Sequence, residues 1–324
     1  MPCPPSRLPI SLAFALITAS AAAQSTPDEA LIADIRDSVA HDLDAAELGP
    51  IYGAMVSITT APEISAATYR VRDDEAPPTM RLYKLPLNWT LPSDDPDWAP
   101  YVQTSLGFME MSSEMDVLGE RILSSWRAYG GSVGLGARMG QGPLTWIGLA
   151  SVGLIQIENR ARYDGTIGQT LLKPVFEGLL FDWDATAHKT GLAIGADYER
   201  DFAVWRMVAR GRLSTMRVKT FSTSSPAVEF ASTGSALTLH TDHSRPLPFA
   251  VGGYPARVHV RSGATAYLGS NRAALGFDRY LELGGGLEID VSGEGSAVDA
   301  VHLSALGIWG PDVVGWSLSV SFGF

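Results

Sequence analysis

The sequence predicts an all-β fold: a transmembrane antiparallel up-and-down β-barrel of about 12 strands, preceded by one short N-terminal helix. Three observations predict it: an export leader, period-two alternation through the rest of the chain, and a final alternating strand that ends on phenylalanine. The 324 residues are 46% hydrophobic and 18% charged, with 33 Gly, 20 Pro and one Cys, which excludes low-hydropathy disorder, collagen, coiled coil and disulfide scaffold. A formal charge of −11 argues against a nucleic-acid partner, which needs a basic footprint. No cofactor fingerprint is present: neither zincin, P-loop nor Rossmann spacing occurs.

Residues 1–23 read as a signal peptide. Arg7 is the only charge before Asp28, Leu8 to Ala19 is mostly apolar, and Ala21-Ala22-Ala23 before Gln24 has small residues where a signal peptidase cuts. Cys3 lies too early for lipoprotein acylation, so the mature chain carries no cysteine and sets 23 basic against 35 acidic residues.

Residues 24–62 read as an acidic helix and linker. Thr26-Pro27-Asp28-Glu29 combines an N-cap, a proline at the first helical position and acids in the first turn. Ile32, Ile35, Val39, Leu43 and Ala46 then recur at helical spacing, and Gly49-Pro50 supplies the stop. Between 28 and 47 there are seven acids and one base, Arg36. Two readings stand: a solvated periplasmic helix, or a plug inside a barrel lumen.

Residues 63–324 read as the barrel. Met139 to Ile157 is uncharged over 19 residues but contains Gly140, Gly142, Pro143, Gly148 and Gly153, and its most apolar part, Leu144 to Ile155, is 12 residues long. That suits a tilted barrel strand better than a spanning helix. A backbone crossing lipid must pair all its own polar groups, which leaves a closed barrel. Twelve segments qualify: 64–72, 79–90, 98–110, 126–139, 143–157, 185–199, 202–216, 228–240, 255–268, 276–290, 298–309 and 313–324. Ile51–Thr60 is also strand-like but would make the count odd, so it is left out. With the C-terminus periplasmic, the two longest connections, 111–125 and 158–184, fall outside, while Gly140–Gly142 and Arg200–Asp201 are short periplasmic turns. The connection 241–254 is longer than that rule expects. Trp89, Trp98, Tyr101, Tyr254, Trp309, Trp316 and Phe324 suit aromatic girdles.

The last segment alternates most cleanly. Trp316, Leu318, Val320, Phe322 and Phe324 share one face, opposite Ser317, Ser319, Ser321 and Gly323. This pattern resembles the carboxy-terminal assembly signal of bacterial outer-membrane barrels. The resemblance implies outer-membrane lipids and the barrel-assembly machinery as partners.

The same parity turns a set of charges into the lumen: Arg138, Asp197, Arg206, Arg210, Arg212, Arg257, Arg261, Glu282 and Glu288, with Glu199 beside them. Hairpin register would bring Asp197 near Arg206 and Arg257 near Glu288. Such ladders offset the cost of confining charge, and would also suit a narrow polar pore. The external 158–184 segment is unusually apolar (Leu171, Leu172, Val175, Phe176, Leu179, Leu180, Phe181, Trp183) and is expected to fold over the pore or meet a surface partner.

An enzymatic reading rests on His302-Leu303-Ser304, whose His-x-Ser spacing resembles barrel lipid hydrolases. The pair faces the lumen by parity, and the hairpin partner Trp316-Ser317-Leu318 offers no third member. His240-Thr241-Asp242-His243 has metal-like spacing, but Arg245 lies close by. The expectation is therefore no catalytic and no metal site.

Leader, helix, about twelve strands and terminal Phe together resemble the translocator barrels of autotransporters. Those are 12-stranded with a helix through the pore. Only Gln24 to about Glu63 separates the leader from the first strand, and no Asn-Asn junction precedes the barrel, so the chain looks more like the solitary, passenger-less type. The residues and the resemblance together lead to the expectation of a monomeric, non-enzymatic outer-membrane barrel acting as a restricted pore or surface scaffold, with a membrane-embedded lipid hydrolase using His302 and Ser304 as the alternative.

Overall fold

Period-two alternation with glycines on one face and branched or aromatic residues on the other is realised as twelve strands, each hydrogen-bonded to its sequence neighbours and closed on itself. The computed structural model describes residues 29–45, 66–71, 78–140, 142–269, 276–292 and 300–323, without the side chains of 41–45 and 321–323. The leader, residues 46–65 with the strand-like Ile51–Thr60, and the side chains of Phe322 and Phe324 lie outside the described residues.

The strands are β1 (Ala66–Val71), β2 (Thr79–Thr90), β3 (Trp98–Val117), β4 (Glu120–Met139), β5 (Leu144–Tyr163) and β6 (Trp183–Asp201). They continue with β7 (Arg206–Thr223), β8 (Ala231–Pro246), β9 (Ala256–Gly269), β10 (Arg279–Asp290), β11 (Ala300–Trp309) and β12 (Val313–Gly323). All pairings are antiparallel, and β1 closes the barrel against β12 through six paired positions, Ala66↔Leu318 to Val71↔Val313. The β3–β4 hairpin, by contrast, pairs over 20 positions.

Strand length breaks the symmetry of the cylinder. A tilted strand crosses a bilayer in roughly 9–11 residues. β10, β11 and β12 have 12, 10 and 11, whereas β3, β4 and β5 have 20 each. The surplus overhangs the end opposite the chain's β1 start and β12 finish, called distal below. The expected external connection 111–125 is therefore not a loop. β3 and β4 run straight through it and meet at a two-residue turn, Leu118-Gly119, with positive φ at both positions. Outward-facing Glu110, Glu114 and Asp116 in place of lipid-facing apolar residues disguise this stretch, because here the outer face meets water.

Other boundaries shift less. β5 extends to Tyr163, so the apolar connection is 164–182, and β8 extends to Pro246, which shortens the expected 241–254 connection. α1 (Glu29–Ala45) is the expected acidic helix, 17 residues long.

Parity assigns the outer face as expected on most strands. Leu106, Leu135, Val152, Leu192, Ile194, Leu239, Leu281, Trp316, Leu318 and Val320 are all exposed large apolar side chains. They form a belt for hydrocarbon, flanked by exposed Tyr83, Tyr129 and Trp309 distally and Trp98, Trp146 and Tyr254 proximally. Tyr101 is a correction: it is buried and turned into the lumen, where the Arg138 guanidinium sits 5.9 Å from its ring centroid.

Inside, the distal lumen is filled. Tyr69, Leu82, Met109, Ile155, Ile157, Trp183, Tyr280 and Ile308 are almost fully buried members of one cluster drawn from nearly every strand. Trp183 packs edge-on against Trp126 at 5.3 Å, and Tyr69 meets Phe277 and Tyr280 at 5.9 and 5.8 Å. Charged side chains take most of the rest of the lumen, with Lys84, Lys189 and Glu282 buried two residues from Leu82, Ala187 and Tyr280 of the apolar cluster.

Candidate functional site

The proximal lumen is built from strand positions two apart, which share a face and stack along the barrel axis. Asp197 on β6 is its hub. It receives Arg212 from β7 at 2.7 Å and Arg138 from β4 at 3.2 Å, so two cations on either side share one carboxylate. Gly195 makes the Arg212 approach possible: a Cβ there would lie 2.4 Å from the Arg212 Cδ. Nearby, Glu199 and Arg206 form an ion pair at the proximal rim, with Asp201 3.9 Å from the same arginine.

On the opposite wall, Arg261 directs both Nε and Nη2 at Asp242 Oδ2, each at 3.3 Å. Glu282 lies 3.9 Å from His240 Nδ1, and Glu288 lies 3.8 Å from His302 Nδ1. Arg257 stands opposite Glu288 in register, yet its Nε donates to Ser244 Oγ at 3.2 Å. Arg210 stands opposite Asp197 but leaves that carboxylate to Arg138 and Arg212 and stays exposed to the lumen. The nine charges named from parity thus share the lumen, while their partners differ from the hairpin expectation. Asp197 pairs with Arg138 and Arg212 instead of Arg206, and Glu288 pairs with a histidine instead of Arg257. Two causes act: the register sets Arg206 opposite Asp201, four residues from Asp197, and an arginine side chain spans more than one strand spacing, so the register partner need not be the electrostatic one.

Two candidate catalytic or metal groups separate in the same way. His302 turns to Glu288, and Ser304 instead meets His259, whose Nε2 is 2.8 Å from Ser304 Oγ. The two side chains bridge β9 to β11 across Gly286, where a Cβ would sit 2.8 Å from that nitrogen. Ser304 and His259 are both buried. His240 faces the lumen and His243 the outside, as strand positions of opposite parity must. Among the described residues no cluster of three or more His, Cys, Asp or Glu could hold a metal. Gly284-Gly285-Gly286 is the sequence signal that could have revealed the His259–Ser304 bridge, since glycine on a lumen face lets its neighbours reach across.

The proximal mouth is an open cavity of about 470 Å³ lined by Arg138, Thr145, Asp197 and Arg200 among others. The distal mouth is covered. The 164–182 connection folds as a π-helical turn (Gly168–Leu172) followed by a short α-helical turn (Lys173–Phe176). Its Leu171, Leu172, Val175, Phe176, Leu179 and Phe181 are buried with lumen-facing Ile122 and Tyr163, and with Ile35 and Val39 of α1. Ile35 and Val39 are four apart and so share one face of the helix. Arg36 Nη1 donates to Pro174 O at 2.8 Å and fixes the docking. The apolar loop side chains are thus turned inward onto the chain's own helix. Tyr163 lies beyond the lipid belt, and burial pushes its phenol well above the ordinary tyrosine range.

Residues 76–324 match the family model described as the solitary outer membrane autotransporter beta-barrel domain. The chain belongs to this family. A solitary autotransporter barrel is a bacterial outer-membrane protein, and the lipid-facing belt and closed strand order are the form that location requires. Solved structures with a similar fold include the translocator domain of the autotransporter NalP from Neisseria meningitidis. It is 11% identical, covers 88% of this chain and 95% of its own, and gives a TM-score of 0.52. The transport unit of the autotransporter AIDA-I from Escherichia coli is 9% identical over 81% of this chain and 89% of its own, with a TM-score of 0.50. At such identity these likenesses concern the solitary barrel's fold alone. No curated protein sequence matches the chain.

Proposed function

We propose that this solitary autotransporter barrel is a sealed, non-enzymatic scaffold, a restricted passage at most, that holds its N-terminal helix at the external mouth. The observation carrying this reading is the apolar cluster in the distal lumen, which gathers side chains from nearly all strands into one packed layer. Water and ions crossing it would have to enter a space occupied by side chains packed as a protein interior, where the few polar groups, such as Asn159 and Ser124, are buried and bonded to one another. The Ile35–Val39 face of α1 and the 164–182 connection add a second layer. The distal end is taken as external because it carries the longest described connection and the strand overhangs.

The reading extends to assembly: β12, with Trp316, Leu318 and Val320 facing lipid, is the strand the barrel-assembly machinery would engage. Planar-bilayer recording from the full mature protein tests the closure. Rare, small conductance steps are expected, and large, steady open channels would overturn it.

A further inference from the structure

We propose that the outer wall at β6–β7 carries a binding site for the phosphate group of an outer-leaflet lipid, built from Arg217 and Lys219. Both are exposed on the outer face of β7, two residues apart, directly distal to lipid-facing Leu213. Strand geometry puts their Cα atoms roughly 7 Å apart, close enough for both side chains to reach one phosphate. Register places Thr190 beside Arg217 and His188 beside Lys219 on β6, both exposed on the same face. Phe221 continues the row, 60% exposed, with its ring 6.1 Å from that of His188.

Charge bookkeeping separates these two cations from their counterparts on neighbouring strands. On the distal outer wall, Arg121 pairs with Glu114 at 2.7 Å, Arg127 with Glu110 at 3.5 Å, Arg160 with Asp184 at 2.7 Å and Arg162 with Asp164 at 3.3 Å. Arg217 and Lys219 have no such carboxylate among the described residues. In a chain of net charge −11, the exposed Glu229, two residues from Ala231 opposite Lys219, forms no ion pair with either cation, so the two remain complementary to an external anion. The wall beneath them decides which anion. Exposed Leu192, Ile194, Leu213 and Leu237 descend from the patch as an apolar strip, so a ligand bound here has its charged group at Arg217 and Lys219 and its acyl chains along that strip. A phosphorylated lipid has that shape and free phosphate does not.

The test uses the full mature protein folded in neutral detergent, with heat-modifiable gel mobility as the check on folding. Native mass spectrometry reads binding of lipid A, its phosphate-free analogue and inorganic phosphate. Each basic side chain at an anionic lipid surface contributes on the order of fivefold in affinity. The Arg217→Gln/Lys219→Gln double variant is therefore expected to bind lipid A roughly 25-fold less well. Arg162→Gln, a paired cation elsewhere on the wall, is expected to bind as the unmodified protein does, and the phosphate-free analogue is expected to bind as weakly as to the double variant. Equal lipid A binding by the double variant, or undiminished binding of the phosphate-free analogue, would overturn the site. Tight binding of inorganic phosphate at the patch would overturn the lipid assignment in favour of a free anion.

Discussion

His259 and Ser304 meet 2.8 Å apart inside the lumen although they stand on strands that are not neighbours, because Gly286 between them has no side chain. The contact reads as a cross-lumen brace. Ser304→Ala leaves the buried His259 nitrogen without its partner and is expected to cost about 1–2 kcal/mol, measured by urea unfolding in detergent. Lipid release is expected to stay at background in both proteins; its appearance only in the unmodified one would restore a catalytic role to Ser304.

Asp197 holds two arginines, so neutralising it leaves both without their shared carboxylate. Asp197→Asn is expected to lower stability by about 1–3 kcal/mol, short of the full penalty for a dry ion pair because the lumen is partly hydrated. An Asp197→Asn/Arg212→Gln combination that costs less than the sum of its single changes would report the coupling directly.

Trp183 is fully buried where the apolar layer crosses the lumen. Trp183→Ala is expected to cost about 3–5 kcal/mol and to raise single-channel conductance, both read on the same refolded sample. A destabilised barrel that stays electrically silent would move the seal to another layer.

Val39 presses the acidic helix onto the 164–182 connection. Val39→Asp buries a charge against Phe176 and its neighbours, and the helix is expected to leave the mouth. Trypsin cleavage after Arg36 on intact cells should then rise about tenfold, which corresponds to roughly 1.4 kcal/mol of lost docking.

Tyr163 has a buried hydroxyl that finds no partner among the described residues. Removing it relieves an unmet desolvation cost, so Tyr163→Phe is expected to stabilise the protein by about 1 kcal/mol. A loss of stability would mean that the hydroxyl has a bound water.

The parity of the strands was legible because a lipid-facing side chain has to be apolar, as Trp316, Leu318 and Val320 are opposite serines; a half-buried strand of a soluble sheet would alternate in the same way, so the parity gave the faces and the export leader gave the solvent. Where that demand ends, legibility ends with it. From Glu110 to Arg127 both faces carry polar residues, and the alternation that continues through the β3–β4 overhang looks like a loop. The inward-facing charges were readable from the same parity, but their pairing was not. Which carboxylate an arginine takes depends on glycine gaps such as Gly195 and on stagger between strands, neither of which is set by the two-residue repeat. The packing of Ile35 and Val39 on the 164–182 connection was equally hidden. Each partner reads as an apolar surface, and nothing local says that one covers the other.

The wall also has a weakest joint. Among the described residues, β1 is held by six rungs to β12 and by five to β2, against 20 between β3 and β4. Lateral tension in the bilayer acts on every joint alike, and of the two short joints of β1 only the one to β2 is backed by a direct chain connection, so the seam to β12 should open first. It is also the last that a chain threaded strand by strand could zip. The proline-free run Ala66–Val71 is therefore a latch: shortening it should open the cylinder into a curved sheet, while shortening the β3–β4 overhang would only trim its rim.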